Sequence, residues 1–131
     1  MSKQNDLEIL LNARLKQADN AFNAGRLLLG QSFYPDCINR FYYSMFYAVL
    51  ALLITRELGT SKHKGVISLF DREFVKTGHF PKELSSWLHS IFEQRLEADY
   101  ADRSEVTYEK AVEVETQASV FIQSVKSYLK R

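Results

Sequence analysis

The sequence holds a single cysteine, Cys37, so it can form neither an intrachain disulfide nor a cysteine-clustered zinc site. Proline occurs twice, at Pro35 and Pro81, and glycine five times, so helix breakers are scarce and fall in clusters. No charge prevails: 17 Lys and Arg against 16 Asp and Glu leave a net charge of +1. The strong basic excess that marks most nucleic-acid binders is therefore missing. The main apolar run, Phe41 to Ile54, is 14 residues broken only by Ser44. That is short of the roughly 20 residues a bilayer crossing needs. The amino-terminal residues Met1 to Asp6 are polar with no apolar signal region behind them, which makes the cytoplasm the expected location. Gly-rich phosphate loops, Gly-x-Ser-x-Gly elbows and His-Glu-x-x-His pairs are absent as well.

What is present is a globular composition, 46% hydrophobic, 25% charged and 13% aromatic over 131 residues. One domain over 1–131 is expected, with about 1–5 as a polar tail. Between the breaker clusters lie five segments with helical periodicity. The first runs from about Asp6 to Leu29, with Leu7, Leu11, Leu15, Ala18, Phe22 and Leu29 near one face. The second enters at Pro35-Asp36 and runs to Leu58, and the third opens at the capping residues Thr60-Ser61 and reaches about Lys76 before Gly78. Pro81 suits the first turn of a fourth helix reaching about Tyr100. The fifth follows Thr107 and ends near Leu129, with Ala111, Ala118, Ile122, Val125 and Leu129 inward. The pattern predicts an all-α antiparallel up-and-down bundle of about five helices.

The second helix has almost no polar face, which predicts a central helix covered on most sides. A small bundle rarely covers one helix completely, so Phe41, Tyr42, Tyr43, Phe46 and Tyr47 are expected to serve the core and the interface of a homodimer. On the fourth helix Leu84, Leu88, Ile91 and Ala98 form a stripe with Trp87 beside it. Arg95 falls about 20° from Leu84 around the axis, inside that stripe. An arginine there must be paired or face a cleft, because an unpaired buried charge is too costly. Asp99, at i+4, offers a structural partner; the functional reading is a fork of donors for a phosphate. Ser61-Lys62-His63-Lys64-Gly65 opens the third helix, with His63 on the face of Ile67, Phe70 and Phe74. His63 is read either as a packing residue or, with Lys64, as part of an anion site. His79 and His89 have no companions at ligand spacing and read as surface or packing residues.

Four ordered blocks carry a resemblance: Arg40-Phe41-Tyr42-Tyr43-Ser44-Met45-Phe46-Tyr47-Ala48, Ser61-Lys62-His63-Lys64-Gly65-Val66, Phe74-Val75-Lys76-Thr77-Gly78 and Arg95-Leu96-Glu97-Ala98-Asp99-Tyr100. From about Asn12 to Lys126 the chain resembles the HEPN domain, in a branch of small stand-alone prokaryotic proteins. The resemblance implies a helical bundle that dimerises through a face containing the motif helix. It also implies frequent pairing with a minimal nucleotidyltransferase, in some cases as a toxin–antitoxin system. Many HEPN proteins are metal-independent ribonucleases with an Arg-x(4–6)-His motif, in which the arginine steadies phosphate and the histidine moves the proton.

Arg95 matches that arginine, but no histidine follows it; His89 is the last in the chain. Asp99 and Tyr100 stand where the histidine belongs. An aspartate near Arg95 is held ionised and is a weak base, and tyrosine with a reference pKa of about 10 is no ready substitute for a group titrating near 6.5. The expected function is a non-catalytic or reduced-activity dimeric partner of a nucleotidyltransferase. Arg95, Asp99, Tyr100, His63 and Lys64 would line a cleft for a nucleotide or RNA phosphate, without metal or cofactor. Two alternatives stand beside it: a metal-independent ribonuclease using Arg95 with His63, and a purely structural interaction module.

Overall fold

With few breakers to interrupt them, the helices run long. The computed structural model describes residues 2–60, 62–100 and 105–131, with the backbone alone for 97–100. Helices α1 (Lys3–Gly30), α2 (Tyr34–Ile54), α3 (His63–Phe70), α4 (Lys82–Tyr100) and α5 (Tyr108–Leu129) account for most of it, and no strand occurs among the described residues. The chain is an all-α helical bundle, as the periodicity predicts.

Local chemistry sets the helix ends. Ser2 caps α1 by accepting from the Asn5 N–H at 3.1 Å, and Thr107 caps α5 by accepting from the Lys110 N–H at 3.1 Å. Helix α2 stops at Ile54, short of the expected Leu58. There the Glu57 backbone turns left-handed, with φ of 54°, and the Leu58 N–H bonds back to the Leu53 carbonyl at 3.0 Å. This is the closing pattern usually built on glycine, here with Glu57 in glycine's place. Helix α3 starts after Lys62, which makes no side-chain cap bond, rather than on the expected Thr60-Ser61 pair; Ser61 lies outside the described residues. Its end is also unusual: α3 continues into a single π turn, Asp71–Val75, where the Lys76 N–H reaches the Asp71 carbonyl at 2.8 Å. Gly78, with φ of 85°, then ends the segment, as expected.

Contacts along the helices give the packing directions. Lys3 meets Glu57 at the far end of α2 at 2.6 Å, and the Phe22 ring lies 5.4 Å from Phe41, so α1 and α2 are antiparallel. Asp19 holds Lys126 at 2.8 Å while Arg26 approaches Glu115, which sets α5 antiparallel to α1. Asp71 meets Ser85 and His89, folding α4 back along α3.

Helix α2 is the centre of the bundle, with α1, α3, α4 and α5 all packed against it. Cys37, Ile38, Phe41, Tyr42, Met45, Ala48, Val49 and Leu52 are buried. By length and composition α2 is apolar enough to span a bilayer, but most of its apolar surface is spent inside the chain. Burial also pushes the Cys37 thiol up to about 11, which leaves it unreactive at neutral pH.

Candidate functional site

The site grows out of the crossing of α2, α3 and α4. Tyr42 projects from α2 and is fully buried, so its hydroxyl must find a partner. It finds His63, the first residue of α3, with the hydroxyl 2.8 Å from Nδ1. The imidazole stacks on Phe46 at 4.4 Å and stands edge-on to Tyr43 at 5.7 Å, so three aromatic residues of one helix fix its plane.

Arg95 comes to the same cluster from α4. Its guanidinium carbon lies 5.0 Å from the Tyr42 ring centroid, 5.7 Å from Tyr43 and 5.6 Å from Phe92. Its Nε is buried while the residue as a whole is half-buried. A planar cation over electron-rich rings gains roughly 0.5–2 kcal/mol per good contact, which helps to offset the cost of partial burial. The expectation that Arg95 lies in the stripe of Leu84, Leu88 and Ile91 is met, and all three are buried.

Electrostatics tie the two groups together. Burial lowers the pKa of His63, and the positive charge of Arg95 lowers it further. Burial raises that of Tyr42, against a smaller opposing effect of Arg95, so the hydroxyl keeps its proton throughout the neutral range. With that proton assigned to the bond with His63, Nδ1 is the acceptor and the imidazole carries its own hydrogen on Nε2. A neutral histidine that offers an N–H sits beside a fixed cation.

A pH effect follows from the lowered His63 pKa. The unfolded chain takes up the proton near the ordinary value of about 6.5, the native chain only below it. This contribution to stability is therefore complete above about 6.5 and is lost as pH falls toward the depressed native value. Urea unfolding at pH 7.5 and pH 5.0 should show this loss, and His63→Gln should reduce it; an unchanged loss in the variant would remove His63 as its source.

The other expected site residues divide. Phe41 and Tyr42 are core residues of one chain, Phe46 is nearly covered, and Tyr43 and Tyr47 are half-buried at the edge of the core. Lys64 is exposed and lines a groove of about 380 Å³ between α3 and α4. The side chains of Asp99 and Tyr100 lie outside the described residues, so the structure does not describe an Arg95–Asp99 pair. One reading needs correction. His89, expected to have no companion, has its Nε2 2.6 Å from Oδ2 of Asp71, whose Oδ1 accepts from the Ser85 hydroxyl at 2.6 Å. Asp71 is 18 residues away in sequence, and only the fold-back of α4 onto the π turn brings the two together. Among the described residues no group of three or more His, Cys, Asp or Glu could hold a metal.

The HEPN domain model matches residues 11–128. The chain belongs to the HEPN family. Among relatives of this HEPN protein, one from Methanocaldococcus jannaschii named "Putative toxin MJ0142" is 34% identical over 91% of this chain and 81% of its own length. A UPF0332 protein of Thermotoga maritima is 34% identical over 95% of each chain. A second M. jannaschii relative, named "Putative toxin MJ0605", is 30% identical over 95% of this chain and 92% of its own. In the HEPN fold seen here, Arg95 is held against the aromatic face of α2.

Proposed function

We propose that this HEPN protein is the phosphate-holding, catalytically reduced partner of a minimal nucleotidyltransferase in a toxin–antitoxin-like pair, acting as a homodimer. The observation that carries this reading is the Tyr42–His63 bond beside Arg95. General-base attack on a ribose hydroxyl needs an imidazole lone pair facing the substrate. The bond to Tyr42 occupies the Nδ1 lone pair of His63 and leaves an Nε2–H, a donor suited to a phosphate oxygen. Arg95 supplies the cationic fork. The relatives with toxin in their names support a role in such a pair. The half-buried Tyr43 and Tyr47 fit an edge that a second copy covers.

A ribonuclease is the second reading, favoured by the same proximity: His63 and Arg95 both lie against the Tyr42 side chain. The two readings separate in a single experiment. The purified protein, incubated with a mixed RNA pool in EDTA, is expected to leave the RNA intact. It is expected to bind ADP in calorimetry, about tenfold more weakly after Arg95→Ala, as loss of a charge-assisted contact implies. Cleavage leaving 2′,3′-cyclic phosphate ends, abolished in both Arg95→Ala and His63→Ala, would replace this reading with the nuclease.

A further inference from the structure

The groove between α3 and α4 adjoins the Arg95 cluster without belonging to it. Its apolar walls are Ile67, Phe92 and Leu96, and its polar lining is Lys64, Ser68, His89 and Glu93. At about 380 Å³ it falls in the range of small-ligand sites and has room for one fused-ring heterocycle. Two of these residues join it to the anion site. Phe92 lies 5.6 Å from the Tyr42 ring and 5.6 Å from the Arg95 guanidinium carbon, so one ring borders both spaces. Lys64 directly follows His63 on α3.

The polar lining is partly built in advance. Asp71 accepts from Ser85 and binds Nε2 of His89, each at 2.6 Å. This fixes the imidazole and leaves Nδ1 as the ring atom a ligand can use. In the neutral tautomer that donates Nε2–H to the carboxylate, Nδ1 is an acceptor. The Glu93 carboxylate adds two acceptor oxygens at the same groove. An apolar slot with an aromatic wall and acceptors suits a flat base whose edge carries N–H donors.

We infer that this groove is the base subsite of the nucleotide whose phosphate Arg95 and His63 hold, and that it takes a purine, guanine before adenine. Guanine presents two neighbouring donors, N1–H and the N2 amino group, to a carboxylate; adenine presents one amino group. The inference rests on the phosphate-holding reading and adds to it which part of the ligand gives selectivity.

Calorimetry of the full chain with GMP, AMP and ribose 5-phosphate tests it. GMP is expected to bind about tenfold more tightly than ribose 5-phosphate, the size of a lost stacking and edge contact, with AMP between them. Ser68→Trp, which places an indole in the groove from the exposed face of α3, should reduce GMP to the affinity of ribose 5-phosphate and leave ribose 5-phosphate unchanged. Equal affinity of the native protein for GMP and ribose 5-phosphate would overturn the base subsite and leave the phosphate site standing. Failure of both to bind would overturn the phosphate site, and the subsite with it. A GMP advantage that survives Ser68→Trp, with the thermal melt unchanged, would place the base elsewhere and also overturn the inference.

Discussion

Phe41→Ala should cost about 3–5 kcal/mol, the usual range for emptying a buried phenylalanine site. At this chain length that corresponds to a fall in Tm of roughly 10–20 °C. Phe41 is fully buried at the middle of α2, with the Phe22 ring 5.4 Å away. Its ring also lies against the backbone of α1 at Gly25, where an added Cβ would stand 2.6 Å from Phe41 Cε1. Neither helix can close the gap without losing its other contacts, so the site collapses poorly and the upper half of the range is expected. Chemical denaturation read by circular dichroism checks it. A loss below about 1 kcal/mol would mean that α1 moves in to fill the space, contrary to the rigid interior expected of close-packed helices.

Phe74→Leu should be milder in volume but costly for what surrounds it. Phe74 is fully buried in the π turn, its ring centroid 6.4, 6.1 and 5.9 Å from those of Phe70, Phe80 and Tyr128. The Arg56 guanidinium carbon lies 4.3 Å above its ring, while Arg56 Nη1 donates to the Glu73 carbonyl at 2.8 Å. One cation therefore holds the face of the ring and the turn's backbone together. A double-mutant cycle with Arg56→Met and Phe74→Leu is expected to show coupling of about 0.5–2 kcal/mol, the range for a partly desolvated cation over a ring. Additive losses would reduce the arrangement to two independent contacts.

Much of this was legible in the sequence, for identifiable reasons. The nearly continuous apolar character of 41–54 named the central helix, because a helix without a polar face has nowhere to be but inside. Arg95 was legible because its phase against Leu84, Leu88 and Ile91 follows from 100° per residue. The meeting of His63 with Arg95 was only an open alternative, since residues 32 positions apart are joined by packing that no local pattern encodes. The Asp71–His89 bond was missed for the same reason. The early end of α2 escaped because Glu57 takes a conformation for which glycine is the usual signal. The π turn left no mark either: Asp71-Arg72-Glu73-Phe74-Val75 contains no breaker, and its extra residue shows only in the bonding.

That extra residue has a consequence for chain-length change. A π turn advances the helix by one residue more than the α ladder allows, so it works as a phase shifter between the two faces the segment must serve. Upstream, His63 has to meet Tyr42; downstream, Phe74 and Phe80 have to meet Tyr128. Losing one residue between 71 and 75 would restore a regular helix and rotate one face by about 100° relative to the other. Either the imidazole or the aromatic cluster would then be aimed away from its partner. This segment should therefore tolerate substitution at its exposed positions much better than deletion.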